Sequence, residues 1–229
     1  MILVLTQSVD LGRYVEVMKL ASRKGAWSEK VQRIDWPTCD LSKLGPEETL
    51  YISAHGDDAK VESMDPEALA KLLVSKGLTS VVNFKKLKVM SCASGITSGS
   101  GTPYCQRLAN ELAGNGGPAG VTVVGFDGAT TVCSEHGKLQ AKDTPLSGYP
   151  NYTDWKQNHE PTYLKWNQSA KSMACNDEKQ FQQNAETLWQ TPGVQQAFAW
   201  LYKSNVSFTK SSAEGKTFAA SNKTTHWKK

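Results

Sequence analysis

The sequence predicts an α/β fold in which helices flank a mostly parallel sheet, with a helical addition at the C-terminal end. The first two-thirds of the chain alternates short apolar, β-rich runs with helical segments, and strands separated by helices form parallel βαβ units. After the loop at residues 143–153 the composition changes, and residues 154–204 are rich in Trp, Gln, Lys and Ala. We therefore expect an α/β domain over residues 1–150 and a helical, Trp-rich extension over residues 151–229 that packs on it and ends in a basic tail.

The first predicted elements are two strands and one helix. Residues 2–6 form a continuous apolar run, which predicts a central strand buried on both faces. Residues 12–24 suit a helix that ends near Gly25. Residues 49–54 form a second β-rich run and predict the next strand.

A second helix has clear start and stop signals. Asp65 can act as its N-cap, with Pro66 at the first helical position. Gly77 follows the last apolar residues of this helix and predicts its end. The helix therefore lies between two strands, as a parallel sheet requires.

The later elements repeat the same alternation. Residues 87–90 and 121–124 predict two further strands, and residues 102–114 predict the helix between them. A shorter strand pair is expected near residues 129–134 and 138–141.

Composition excludes several classes of protein. No apolar run approaches the ~20 residues that a membrane-spanning helix needs, and the N-terminus lacks the basic start of a secretory signal. The five cysteines are odd in number and none has CxxC spacing, which favours free thiols over a disulfide framework. We expect a cytoplasmic protein, or one exported without a signal peptide.

The net positive charge of the chain lies in its C-terminal part. Residues 1–149 carry no net charge, and residues 150–229 carry the whole excess of +4. Such an excess can attract nucleic acid, an anionic membrane or a phosphorylated ligand. The lysines are scattered, which favours a solvated basic tail, and we expect no nucleic-acid partner.

Two predicted strands end in residues that can carry chemistry. One strand leads into His55-Gly56 and the other into Ser91-Cys92. In a parallel sheet, functional groups gather outside the carboxyl ends of the strands. A thiolate there can attack a carbonyl while an imidazole protonates the leaving group.

Each residue also has a purely structural interpretation. Cys92 could be a buried, inert thiol, and His55 a loop histidine that forms local hydrogen bonds. Their joint placement after predicted neighbouring strands favours the catalytic interpretation. The N–H groups of Gly56 and Cys92 could then face a developing oxyanion.

The two strand ends resemble the His-Gly and strand-Cys signature of clan CD cysteine peptidases. The resemblance is greatest to the autoprocessing cysteine peptidase domain of RTX-type bacterial toxins and covers about residues 1–142. In that family a strand ending in His-Gly is followed by a helix, a strand ending in Cys, a helix, a strand and a hairpin. Here Thr131 to Lys138 resembles the hairpin. The resemblance implies a caspase-like fold.

The resemblance also assigns site residues. It implies that Cys92 and His55 form a catalytic dyad and that Gly56 contributes to the oxyanion hole. It places a substrate pocket beside the strand after the Cys strand, at Gly125, Phe126 and Asp127, and we add Ser94 in the loop after Cys92. Asp127 could pair with a basic substrate residue, or instead form a turn with Gly128.

No cofactor or metal is required by this chemistry, and no His, Cys and Asp cluster has zinc spacing. The toxin domains are activated by inositol hexakisphosphate, which a cluster of Arg and Lys binds near the hairpin. The hairpin here offers only Lys138 and Lys142, with Lys85, Lys86 and Lys88 before the Cys strand. Activation by an inositol polyphosphate is therefore a minor alternative.

The aromatic C-terminal region has two interpretations. Its tryptophans could anchor helices against the sheet, because the segment has few Leu and Ile. Alternatively, an exposed patch could bind a peptide or partner; that patch would comprise Tyr149, Tyr152, Trp155, Tyr163 and Trp166.

The sequence thus predicts a hydrolase, a caspase-like thiol protease that cleaves a protein or peptide substrate with a Cys-His dyad. The kinship suggests a bacterial, toxin-like effector. One alternative is a non-catalytic caspase-like module that binds a protein or anionic partner through the C-terminal region. Another is a thiol hydrolase or transferase acting on an amide or ester that is not a peptide.

Overall fold

A computed structural model describes eight stretches of the chain, which together hold most of the predicted elements. They are residues 1–5, 11–16, 31–96, 101–126, 129–133, 138–142, 152–197 and 216–219.

Within these stretches, six strands form one sheet and two form a separate pair. The strands are β1 (Ile2–Val4), β2 (Val31–Arg33), β3 (Thr49–Ser53), β4 (Lys86–Met90), β5 (Thr122–Gly125), β6 (Ala129–Cys133), β7 (Lys138–Lys142) and β8 (Lys216–Ala219). The order in the large sheet is β2-β1-β3-β4-β5-β8. The first five are parallel, and β8 is antiparallel to β5. The predicted mostly parallel α/β sheet is confirmed.

The described helices lie before, between and after these strands. They are α1 (Leu11–Glu16), α2 (Pro66–Ser75), α3 (Tyr104–Gly114), α4 (Tyr152–Asn158), α5 (Glu160–Ser172) and α6 (Glu178–Trp189), with a 3-10 helix at Leu41–Lys43. Helix α2 connects β3 to β4, and α3 connects β4 to β5, so each forms a parallel crossover. Of the predicted helix over residues 12–24, the part after Glu16 lies outside the described residues.

Helix α2 begins and ends where its capping residues predict. Asp65 Oδ1 accepts the Ala68 N–H at 2.8 Å, and Pro66 occupies the first turn. Gly77 has φ +97°, a left-handed conformation that glycine adopts without a Cβ penalty. These caps hold α2 in register, so that its buried face, which includes Leu69 and Leu73, packs in the core.

Strands β6 and β7 form the predicted short antiparallel pair. Their register runs from Ala129↔Lys142 to Cys133↔Lys138. The turn between them lies outside the described residues.

The C-terminal helices share one continuous hydrophobic core with the sheet domain. Helix α6 packs against α1, and Phe181 on α6 meets the rings of Tyr14 and Trp36 at 5.2 Å and 5.9 Å. Arg33 at the end of β2 is fully buried, and its guanidinium carbon lies 4.2 Å from the Phe181 ring centroid. Arg33 also pairs with Asp35, which keeps its buried charge neutralised.

Three of the C-terminal tryptophans are core residues. Trp155, Trp166 and Trp189 are at most 9% exposed. The Nε1 atoms of Trp155 and Trp166 donate to backbone carbonyls within the helical region. This burial favours the core interpretation and removes Trp155 and Trp166 from the proposed aromatic surface. Tyr163 is half-buried, and Tyr149 lies outside the described residues.

Among the described residues, no helix is both long and apolar enough to span a membrane.

Candidate active site

The candidate catalytic residues follow two neighbouring parallel strands at the same level. The β3–β4 register ends at Ser53↔Met90, and the Ala54 N–H extends the ladder to Met90 O at 3.4 Å. His55 lies two residues beyond Ser53, and Cys92 lies two residues beyond Met90. The carboxyl ends of β3 and β4 therefore present His55 and Cys92 at one edge of the sheet, which is where ligands bind in open α/β folds.

The two turns that carry these residues are in direct contact. A Cβ built on Gly56 would lie closer than 3.0 Å to Ser91 Oγ, so the backbone after His55 packs on the side chain before Cys92. Only glycine allows this approach. Ser91 is fully buried, and its Oγ makes no hydrogen bond within the described part of the chain.

Cys92 opens a tight turn. The thiol residue is half-buried, and Ala93 directly after it has φ +56°. A non-glycine residue in the left-handed region is uncommon, and such conformations cluster at functional sites. The chain turns at this point, and the Ile96 N–H donates to Ala93 O at 3.2 Å.

The loop after β3 holds His55 by backbone hydrogen bonds. The His55 N–H donates to Glu62 Oε1 at 2.6 Å, and the Glu62 N–H donates to His55 O at 2.9 Å. Helix α3 supports the loop, since Arg107 Nη2 donates to Asp58 O at 3.0 Å. The His55 side chain itself is exposed, while its backbone is fixed by these hydrogen bonds.

Asp57 lies in the same loop and is fixed by the backbone. Its Oδ1 accepts the N–H groups of Ala59 and Lys60 at 2.8 Å and 2.7 Å. The backbone hydrogen bond from Lys60, with that from Ala59, holds the pKa of Asp57 below its usual value. No role for Asp57, Glu62 or Arg107 was predicted from the sequence. Only the position of Asp57 directly after His55-Gly56 could have suggested one.

Two backbone N–H groups near the Cys92 thiol are the proposed donors of the oxyanion hole. Among the described residues, the backbone N–H groups of Gly56 and Cys92 donate to no acceptor. Backbone N–H groups are seldom left without a partner. Two such groups beside a half-exposed thiol suit stabilisation of a negative oxygen.

The structure places Ser94, a predicted substrate-binding residue, in the interior of the protein. Ser94 is fully buried; its Oγ donates to Val89 O at 3.1 Å and accepts the Phe126 N–H at 3.2 Å. Both capacities of the hydroxyl are used within the protein. Ser94 therefore joins β4 to the end of β5, and its contact with a substrate stays a prediction.

Gly125 and Phe126, two further predicted substrate-binding residues, are also buried. The Phe126 side chain is 1% exposed, and its carbonyl accepts the Gly95 N–H at 2.9 Å. Gly125 is buried and pairs with Lys216 of β8. Both residues are therefore buried where the structure places them, and their contact with a substrate stays a prediction. Asp127 lies outside the described residues.

A close approach between two glycines fixes the loop that carries Cys92. A Cβ on Gly95 would lie 2.8 Å from the carbonyl carbon of Gly125, and one on Gly125 would lie 2.6 Å from Cys105 Sγ. The Cys105 N–H also donates to Ser94 O at 3.1 Å. The loop after Cys92 is thereby attached to both β5 and α3.

The other described thiols differ from Cys92 in exposure. Burial raises the pKa of Cys105 to about 12 and that of Cys39 to about 11. Both residues are buried, whereas Cys92 and Cys175 are half-buried. Cys175 is therefore the matched reference thiol for any test of Cys92 reactivity.

The raised pKa of Cys105 predicts a loss of stability in alkali. In the unfolded chain this thiol ionises near its ordinary pKa of 9.0, but the folded state keeps it protonated until about pH 12. Its contribution to stability is present below pH 9 and is lost as the pH rises towards 12. Between these values the free energy of unfolding should fall by about 1.4 kcal/mol per pH unit for this one group. We measure the free energy of unfolding by urea titration at several pH values between 9 and 12. In Cys105→Ala it should fall less steeply with pH than in wild type, by about 1.4 kcal/mol per pH unit. An equal pH dependence in the two proteins would contradict the prediction.

Comparisons with protein-family models, with curated proteins and with solved structures find no match to this chain. Among the described residues there is also no group of three or more His, Cys, Asp and Glu side chains that could hold a metal ion. Function is therefore inferred from the site itself.

Proposed function

We propose that the protein is a cysteine endopeptidase in which Cys92 is the nucleophile and His55 is the acid/base. The observation that supports this most directly is the contact of Gly56 with Ser91, because it ties the turn bearing His55 to the turn bearing Cys92. Thiol and imidazole on adjoining turns are the groups that covalent catalysis of acyl transfer needs.

The proposed reaction uses these groups in sequence. His55 accepts the proton of the Cys92 thiol, and the thiolate attacks the scissile carbonyl carbon. The carbonyl oxygen becomes an oxyanion facing the N–H groups of Gly56 and Cys92. The C–N bond then breaks as the imidazolium protonates the leaving amine, which leaves a thioester on Cys92. Water, deprotonated by His55, hydrolyses the thioester and regenerates the thiol.

The order of elements supports kinship with the clan CD peptidases. A strand leading into His-Gly, a helix, a strand leading into Cys, a helix, a strand and an antiparallel pair follow one another as β3, α2, β4, α3, β5 and β6–β7. On this basis we propose a role as a bacterial effector that acts on protein substrates.

The non-catalytic alternative has less support. Trp155 and Trp166 are buried, so the aromatic surface that it invoked loses two of its members. A binding module would also not need a half-exposed Cys92 beside two N–H groups that have no acceptor among the described residues.

The proposal is tested by labelling with a peptide-based electrophile. We expect Cys92 to react at least roughly tenfold faster than Cys175, because His55 stabilises its thiolate. Cys92→Ala should abolish rapid labelling, whereas Cys175→Ala should leave it unchanged. Mass spectrometry of the labelled protein identifies the thiol. The assay is run with and without inositol hexakisphosphate and cell extract, so that a required activator is supplied.

Equal labelling rates at Cys92 and Cys175 under all these conditions would overturn the proposal. The same rate in wild type and in Cys92→Ala would do so more directly, since the reactive group would then lie elsewhere.

A further inference from the structure

A cavity lies beside His55 on the side of the β3 loop. Its volume is about 370 Å³, and its described lining is His55, Gly56, Asp57, Lys60, Glu62 and Ser63. All six residues belong to one loop of ten residues or fewer, and none belongs to the turn of Cys92. The cavity is thus on the imidazole side of the candidate active site.

This position determines which part of a substrate the cavity can meet, provided that the proposed function holds. The thiolate of Cys92 attacks the carbonyl carbon, and His55 protonates the amine that leaves. The imidazole therefore lies on the side of the scissile bond that carries the leaving amine. A cavity beyond His55 takes residues that follow the scissile bond.

The charges of the lining favour a cation. Two carboxylates, Asp57 and Glu62, face one ammonium, Lys60, which leaves the wall with a net negative charge. Asp57 is held by backbone N–H groups through Oδ1 alone, so its Oδ2 remains available within the described residues. A Lys or Arg side chain can donate to such a carboxylate oxygen.

The loop that forms the cavity wall is held by contacts within the protein. Gly56 pairs with Val61 in an antiparallel bridge, and Tyr104 Oη on α3 donates to Met64 O at 3.3 Å. Glu62 and Ser63 both have left-handed backbones, at φ +49° and +67°. Strained conformations of this kind persist where the surroundings over-determine them, and they cluster at binding sites.

Behind Gly56, outside the lining of the cavity, lies a polar group without a hydrogen-bond partner in the described part of the chain. Ser91 Oγ is fully buried and lies against Gly56, and it makes no hydrogen bond among the described residues. Proteins seldom leave a buried hydroxyl unsatisfied, and a functional site is one recurrent reason.

We propose that this cavity, through Asp57, selects substrates with Lys or Arg at one of the first two positions after the scissile bond. Lys60 moderates the selection, because its ammonium competes for the same carboxylates. Asp57 is a specificity residue here, since it does not touch the reacting atoms.

The test is cleavage of a proteome-derived peptide library whose lysines and arginines are intact. Products are identified by mass spectrometry, and the frequency of basic residues is compared with that of acidic residues at the first two positions after each cut. Asp57→Asn should lower this ratio by about two- to fivefold, as expected for one exposed charge pair. Lys60→Gln should raise it by a similar factor. Lys71→Gln, the same charge change on the exposed face of α2, should leave it unchanged.

Each outcome decides between the subsite and the function. Cleavage by wild type with the two opposite shifts supports the proposal, and the shifts should shrink at high salt. Cleavage with an unchanged ratio in Asp57→Asn and Lys60→Gln overturns the subsite and leaves the peptidase intact. No cleavage by wild type with inositol hexakisphosphate and cell extract present overturns both.

Discussion

Replacing His55 by Ala should lower kcat/KM for a cleaved peptide by about 10²- to 10⁴-fold, the usual contribution of a positioned acid/base. The loss has a chemical cause, because Ala can neither accept the thiol proton nor protonate the leaving amine. The His55 side chain is exposed, and its backbone N–H, which bonds to Glu62, is retained in the variant. We therefore expect His55→Ala to stay folded, which a cooperative urea unfolding transition would show.

The matched control is His159→Ala, at the half-buried start of α5. This variant should keep wild-type kcat/KM. A second measurement separates chemistry from structure: labelling of Cys92 by the peptide-based electrophile should slow in His55→Ala and keep the wild-type rate in His159→Ala. An unchanged labelling rate in His55→Ala would remove His55 from the mechanism.

Gly56→Ala should cause the second largest loss of activity, because it disrupts the contact between the turn that bears His55 and the turn that bears Cys92. Its Cβ would lie 2.5 Å from the Lys60 carbonyl oxygen and 3.1 Å from Val61 Cα, as well as too close to Ser91 Oγ. Either the backbone of Lys60 and Val61 or the turn of His55 must move, so we expect the position of His55 relative to Cys92 to change. We expect kcat/KM to fall at least roughly 100-fold, since small displacements cost that much. The overpacking should lower unfolding free energy by about 1–3 kcal/mol.

Two further variants make this prediction specific. Gly114→Ala, at the end of α3, meets nothing within 4 Å and should be neutral or stabilise the protein by up to about 1 kcal/mol. The double variant Gly56→Ala/Ser91→Ala should stay inactive, because the Lys60 carbonyl still blocks the new Cβ. Wild-type activity in Gly56→Ala would mean that the two turns need not touch.

Much of the sheet was predictable because its central strands and their helices have strong local signals. The apolar run of β1 and the Asp65-Pro66 start of α2 depend on burial and backbone capping, which act within a few residues. The placement of His55 and Cys92 followed from the same signals, since parallel strands align their carboxyl ends.

The two edge strands, β2 and β8, were not predicted, for different reasons. Strand β2 has only three residues, Val31–Arg33, which are too few to show a hydrophobic period. Its arginine is typical of a surface position in the sequence, but it is buried against Phe181 and pairs with Asp35. Strand β8 lies in a tail rich in Ser, Thr and Lys. Its pairing with β5 is a contact across about 90 residues, which no local pattern contains.

The surroundings of Cys92 were predictable only in part. Ser94 was assigned to a substrate because it follows the nucleophile, but its hydroxyl is used by Val89 and Phe126. That pairing depends on where the end of β5 lies relative to the loop. The fold-back of Glu62 onto His55 likewise depends on two left-handed residues that are not glycine.

Two elements that cover the sheet, α6 and β8, are synthesised after the strands that carry His55 and Cys92. Both candidate catalytic residues and the five parallel strands, β1 to β5, lie within residues 1–126. Phe181, which covers Arg33, and β8, which covers the edge of β5, emerge later. At about 5–20 residues per second, a ribosome-bound chain carries His55 and Cys92 for roughly 5–20 seconds with that core still open. The sheet is therefore complete only once β8 has been synthesised, and we expect the proposed active site to reach its final form only after that strand has paired with β5.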